Sequence, residues 1–307
     1  MDRIKQWVRA FFYTMIRLPA GSPTPRAWLN ALYLRLGSGG QYYAHKLFAR
    51  AFRGDRRAVP AGTWTVRFFG KPITLPLRSA SFWLDWDTAL SILGHEPHIK
   101  QTYAAAIAGG RPDLFVDIGA NYGTHSLLFL SQGIETLTFE PNAACHDYFR
   151  ETCALNGFTP ALESAALGAA AGELELVFPE QETWLGATDA AAQSALAGQT
   201  NLIRRRVEVR PLTAYAERFA GRRALVKIDT EGAELDILRG ATDILRDHAP
   251  LLIFESFPGE QRGRLFDLLA GGGYRITPLP WSPGGNAPAL TRETFLASGD
   301  MDFFAAK

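Results

Sequence analysis

No stretch of the chain reaches 18 consecutive apolar residues, so the sequence offers no membrane-spanning helix. Neither sign of charge dominates: 32 Lys and Arg stand against 31 Asp and Glu, a formal net charge of +1. That balance gives no global pull toward nucleic acid or a membrane. Only two cysteines occur among 307 residues, Cys145 and Cys153. On one predicted helix their spacing puts them roughly 12 Å apart, too far for a disulfide. They read as core fillers and demand no oxidising compartment. No grouping of His, Cys and carboxylates shows firm metal-ligand spacing. What is present is 47% hydrophobic residues, enough for a full core.

Residues 1–60 read as a helical extension broken at Gly21-Ser22-Pro23 and Gly37-Ser38-Gly39-Gly40. Ile4, Trp7, Val8, Phe11, Phe12, Met15 and Ile16 share one face of its first helix, with Arg3, Lys5, Arg9 and Arg17 largely off it. A small-residue cleavage site after an uninterrupted apolar core is lacking, so the stretch does not make a convincing signal peptide. Residues 1–20 are expected to dock on their own domain, on a second copy in a homo-oligomer, or on a membrane surface. The basic run at 50–57 reads as a solvated face. Residues 61–110 combine a hairpin, "TWTVRFFGKPITLPL" around Gly70-Lys71, with a helical lead-in.

From 111 to 307 short apolar strands alternate with helices, the rhythm of a doubly wound parallel sheet. Leu114–Ile118, Thr136–Glu140, Ala161–Leu167, Ala224–Asp229 and Pro250–Glu255 are the predicted strands, with Tyr274–Pro278 and Asp302–Ala306 as the last two. Helices are predicted from Thr124, over Asn142–Asn156, and from Gly232 to about Asp247. "GELELVF" and "RRRVEVRPL" read as further strands around an Ala/Gln/Ser/Thr-rich stretch from 187 to 201.

The stretch "LFVDIGANYGTHS" (114–126) resembles a dinucleotide loop with one change: Asn121 stands where a second glycine would be. Gly119 and Gly123 allow a tight turn and close approach to a ligand. Glu140 closes the second strand about 20 residues on, where a carboxylate can accept from ribose hydroxyls. Asp117 would repel a pyrophosphate but suits an ammonium group. S-adenosylmethionine carries ribose, adenine and an ammonium and no phosphate, so it is favoured over NAD. The bland reading makes Asp117 a loop cap and Asn121 a turn residue.

Three stretches then carry a family likeness: "FVDIGANYGTHSLLF" (115–129), "LTFEPNAACHDYFRETCALNG" (137–157) and "ALVKIDTEGAELDILRGA" (224–241), with a weaker "HEP" at 95–97. They resemble the FkbM family of methyltransferases that use S-adenosylmethionine. The resemblance implies a Rossmann-like class I methyltransferase domain over 111–307, with a mostly parallel seven-stranded sheet, and methylation of a hydroxyl on a sugar, glycan or natural product. Asp117, Gly119, Asn121, Gly123, Glu140 and Ser164 are then the cofactor-binding candidates. One departure is Ala214, near a point where the family often carries an acid.

Methyl transfer to oxygen needs a group that orients the acceptor and takes its proton. Asp229, at the end of a core strand, and Glu231 are the leading candidates; each could instead cap the following helix. His125 is the third, or a packing residue in the first helical turn. Lys227 could pair with Asp229 or Glu231. Glu255 ends the next strand, and Mg²⁺ held by Asp229, Glu231 and Glu255 would be chemically sensible without being required. Glu234 is expected on the helix surface or in packing; His95 and His98, in the helical lead-in, could overhang the site as a lid, the less favoured reading; Trp184 and Trp281 are platforms for a sugar or covers of a core edge. A nicotinamide-dependent oxidoreductase and a non-catalytic nucleotide-binding scaffold are the competing readings. The expected protein is cytoplasmic, with no nucleic-acid partner.

Overall fold

A computed structural model describes residues 2–52, 59–79, 82–179 and 201–307. The chain divides into two compact units, one of Met1–Pro97 with Arg150–Thr159, the other of His98–Phe149 with Pro160–Lys307.

In the first unit, helices α1 (Asp2–Ala20), α2 (Pro23–Tyr33) and α3 (Ser38–Phe52) precede the hairpin β1 (Gly62–Phe68) and β2 (Lys71–Leu77), and α4 (Phe82–Gly94) follows. The break at Gly21-Ser22-Pro23 is where expected. Gly39 and Gly40, expected in a break, lie instead inside the first turn of α3. Gly70, at φ 81, makes the hairpin turn that an L-residue would resist. The core is aromatic: Trp64 and Trp86 meet edge-on at 4.8 Å between centroids, with Phe48 and Phe52 against them. Polar groups in and beside this core pair with one another: the Tyr33 hydroxyl lies 2.6 Å from His45 Nε2, and the half-buried Asn30 exchanges two hydrogen bonds with Thr65.

The second unit opens with α5 (Pro97–Gly110), nearly all of which it contains, and then alternates: β3 (Leu114–Ile118), α6 (Thr124–Ser131), β4 (Glu135–Phe139), α7 (Ala143–Asn156), whose residues from Arg150 on belong to the first unit, and β5 (Ala161–Glu163). After β6 (Ala166–Leu167), β7 (Gly172–Pro179) and β8 (Leu202–Arg210), a 3-10 segment over Leu212–Arg218 leads to β9 (Ala224–Ile228). The chain ends with α8 (Glu234–Arg239), α9 (Thr242–Asp247), β10 (Leu251–Glu255), α10 (Glu260–Gly271), β11 (Arg275–Pro278), α11 (Arg292–Ala297) and β12 (Asp302–Ala306).

Seven strands form one sheet in the order β5-β4-β3-β9-β10-β12-β11, and β12 alone runs antiparallel to its neighbours. This is the Rossmann-like class I methyltransferase arrangement. β3 and β9 are buried along their whole length, as central parallel strands covered on both faces must be. Val116, Ile118, Leu137, Phe139, Val226 and Phe254 belong to the core on which the helices pack.

Two expectations are corrected. The predicted strand Ala161–Leu167 is two strands in different sheets: β5 pairs with β4, and β6 joins β7 and β8 in a three-stranded sheet. The exposed Ser164 lies at the crossing between them. The predicted helix from Gly232 to Asp247 is two helices parted at Gly240, whose carbonyl accepts from Thr213 N at 3.0 Å; Gly240 also packs so closely on the backbone of Gly168 that a Cβ could not fit. Both cysteines are buried and neither forms a disulfide.

Candidate functional site

In an open parallel sheet the ligand edge lies at the carboxyl ends of the strands, where the order reverses between β3 and β9. Here that edge is stitched by backbone. Gly119 N and Ala120 N donate to Phe139 O at 3.1 and 3.0 Å, Glu140 N donates to Glu163 O, and Asp229 N donates to Ile118 O at 3.1 Å. The loop after β3, the turn after β4 and the turn after β9 are therefore held as one piece.

Gly119 and Gly123 both have positive φ, 79° and 71°. A Cβ on Gly119 would fall inside the carbonyl oxygen of Asp229, and one on Gly123 inside the Phe149 ring. Asn121, at φ 53, takes the left-handed conformation that asparagine tolerates best after glycine. The loop thus curls back on itself into α6.

Glu140, just past β4, is buried. Its Oε2 accepts from Asn121 N at 2.6 Å and its Oε1 from Asn142 N at 2.7 Å. A carboxylate has about four lone-pair sites, so two remain for hydroxyl donors. Burial pushes its pKa up from 4.5 to about 7, helped by the nearby Asp117 charge and opposed by the two backbone donors.

Asp117 divides its work. Oδ2 accepts from Ser126 N (2.9 Å) and Ser126 Oγ (2.7 Å), which anchors the start of α6, and Ser126 Oγ lies 2.9 Å from Thr138 Oγ1. The loop-capping role is thus one half of the residue. Oδ1 is buried and has no hydrogen-bond partner among the described residues. An orphaned carboxylate oxygen is costly unless a donor reaches it, and the ammonium of S-adenosylmethionine is a donor of the right charge. The orphaned Asp117 oxygen, the spare lone pairs of Glu140 and the glycine-lined loop all fit that cofactor.

At the next strand end, Lys227 Nζ lies 2.7 Å from Asp229 Oδ2, with the lysine buried and the aspartate half-buried. Lys227 is also the cross-strand partner of Asp117. Asp229, Glu231 and Glu255 each offer an oxygen within 4.8 Å of the others. That spacing would let one hard divalent cation share them. Burial raises the pKa of Glu255 well above its ordinary value, and the charges of Asp229 and Glu231 add to the push. Glu231 is raised for the same reasons, but its side chain is exposed and solvent screens much of the effect.

Glu231 sits at φ 56 in a turn held by Glu234. The Glu234 carboxylate accepts from Thr230 N (3.0 Å), Thr230 Oγ1 (2.9 Å) and Gly232 N (3.2 Å). Glu234 is buried, so a helix-surface position is excluded.

Of the other predicted residues, His125 is buried in α6, where Nδ1 meets the Tyr103 hydroxyl at 2.8 Å, and it stands outside the carboxylate cluster. His98 Nε2 meets Asp302 Oδ2 at 2.8 Å, and Asp302 faces Glu255 across β10 and β12. That pair, 204 residues apart, was legible in sequence only as the "HEPH" stretch and a short last strand. Trp281 stacks on Phe304 at 4.1 Å, as a cover over the sheet edge does. His95, in the first unit, lies 3.4 Å from its neighbour Glu96. Trp184 lies outside the described residues.

The family model of the methyltransferase FkbM domain matches residues 117–276. Solved structures similar to the chain include a methyltransferase FkbM from Methylobacillus flagellatus KT, at 13% identity and TM-score 0.39, covering 74% of this chain and 54% of that one. The T. Thermophilus 16S rRNA N2 G1207 methyltransferase, in complex with AdoMet and guanosine, aligns at 12% identity and TM-score 0.40 over 81% of this chain and 51% of that one. A SAM-dependent methyltransferase from Agrobacterium tumefaciens aligns at 12% identity and TM-score 0.38 over 83% and 75%. The chain spans about half the length of the first two. No curated protein matches it. Matched over more than half of its length, the chain belongs to the methyltransferase FkbM domain family.

Proposed function

We propose that the protein is an S-adenosylmethionine-dependent O-methyltransferase whose acceptor is a hydroxyl on a sugar, glycan or natural product. The observation that carries the reading is the joint between Gly119 and Asp229. It places the cofactor-side carboxylates, Asp117 and Glu140, on the same stitched edge as the carboxylate cluster.

Bound cofactor would supply a methyl group on a sulfonium. Asp117 Oδ1 would receive the ammonium and Glu140 the ribose hydroxyls. Lys227 fixes Asp229 Oδ2, while Oδ1 makes no hydrogen bond among the described residues. Asp229 Oδ1 would therefore orient the acceptor hydroxyl and take its proton. Glu255, kept protonated by burial, would donate to the acceptor rather than repel it. Ser164, exposed past β5, stands at the same edge, where a purine ring could lie beside it.

The test is transfer of labelled methyl from S-adenosylmethionine to a panel of glycans and hydroxylated metabolites. Label on a hydroxyl oxygen supports the reading; label on an amine, or none with any acceptor while the cofactor binds, would replace it. The 4.8 Å carboxylate cluster favours a second reading, in which Asp229, Glu231 and Glu255 hold Mg²⁺ and the ion acidifies the hydroxyl. Loss of turnover on chelation, restored by Mg²⁺, selects it.

A further inference from the structure

The three N-terminal helices leave large apolar side chains in solvent. Along α1, Trp7, Phe11, Met15 and Leu18 recur at helical spacing and all are exposed, Trp7 to 77%. In α2 Trp28 is 76% exposed, with Leu32 one turn on, and in α3 Tyr43 and Leu47 repeat the pattern. Each helix spends its other face on the unit's core through Ala20, Tyr33, Phe48 and Phe52. Isolated exposed apolar residues are ordinary, but a repeated run on successive helices marks a contact surface.

Charge identifies what it touches. Between Arg3 and Phe52 the sequence has no Asp or Glu, but it has Arg3, Lys5, Arg9 and Arg17, then Arg26, Arg35, Lys46 and Arg50. Arg26 is buried; Arg35, Lys46 and Arg50 are exposed. Asp2 is the one acid in α1–α3, so two copies of this strongly cationic surface would bring like charges together, which disfavours self-association through it. A surface of Trp, Tyr, Met and Leu among cations suits the interface of an anionic bilayer, where rings sit at headgroup level and lysine and arginine reach phosphates. No helix among the described residues is long and apolar enough to cross a membrane.

We propose that α1–α3 dock the protein on anionic lipid surfaces, lying on the bilayer and not spanning it. The proposal concerns the first unit alone and does not depend on the acceptor.

Sedimentation of the full chain with phosphatidylcholine vesicles, with and without phosphatidylglycerol, tests it. The protein should pellet with the phosphatidylglycerol vesicles, much less with phosphatidylcholine alone, and be released by salt. Trp7→Glu with Trp28→Glu should weaken association by at least about tenfold. Both positions are mostly in solvent, so the melting temperature should hold. If that pair unfolds, Arg35→Glu with Lys46→Glu gives the same reading at exposed cations. Failure to pellet with phosphatidylglycerol vesicles overturns the proposal, as does binding that neither pair of variants weakens. So does a dimer that Trp7→Glu dissolves without any vesicle association.

Discussion

The carbonyl oxygen of Asp229 occupies the space that a side chain on Gly119 would need. The contact joins the loop proposed to hold the cofactor to the strand end carrying the proposed proton acceptor, and Asp229 N secures it by donating to Ile118 O at 3.1 Å. Neither backbone can yield without breaking the edge.

Gly119→Ala should therefore cost both a left-handed conformation and an overpacked contact, about 2–4 kcal/mol together. Calorimetric melting should show a loss of several degrees, and cofactor affinity should fall with it. A melting temperature within a degree of wild type would mean the loop relaxes freely.

Glu140 gives opposite pH signatures for stability and ligand binding. Its folded pKa of about 7 lies above the ordinary 4.5, so its stabilising contribution is fully present below 4.5 and lost as pH rises through 7. The full difference is about 3 kcal/mol. Melting of the cofactor-free protein between pH 5 and 8 should lose stability more steeply in wild type than in Glu140→Gln. Affinity for S-adenosylmethionine should rise over the same interval as the carboxylate becomes an acceptor, and the variant should not show that rise. Parallel slopes in both proteins would place the titration elsewhere.

Asp229→Asn keeps the volume and an oxygen for Lys227 while removing the proton acceptor. Turnover in a single-turnover methylation assay should fall by about 10²–10⁴, with cofactor affinity changed by less than about threefold. Normal turnover would leave Asp229 as the partner of Lys227 and move the role to Glu231 or His125.

Much of this was readable from residues alone because the signals are local. Gly70-Lys71 marks the hairpin turn, and the apolar strands, Gly119, Gly123 and the carboxylates at strand ends follow from spacing. The misreadings came from contacts that sequence does not display. "ALESAAL" is an apolar run whether it is one strand or two, and only pairing reveals that β5 and β6 join different sheets. "ELDILRGATDILR" keeps a helical period through Gly240, although the helix parts there and the Gly240 carbonyl accepts from the distant Thr213 N. The encounter of Glu255 with Asp302, and of Asp302 with His98, depends on strand register across the whole domain. Asp117 was legible as a carboxylate leading into the glycine loop, but not as a residue with one oxygen tied to Ser126 and the other without a partner among the described residues.

The most direct measurement is isothermal titration of the protein with S-adenosylmethionine and, separately, with NAD. The account predicts binding of S-adenosylmethionine, no heat with NAD, and affinity weakened roughly ten- to a hundredfold in both Asp117→Ala and Glu140→Ala. Binding of NAD with silence toward S-adenosylmethionine, or unchanged affinity in both variants, would contradict it.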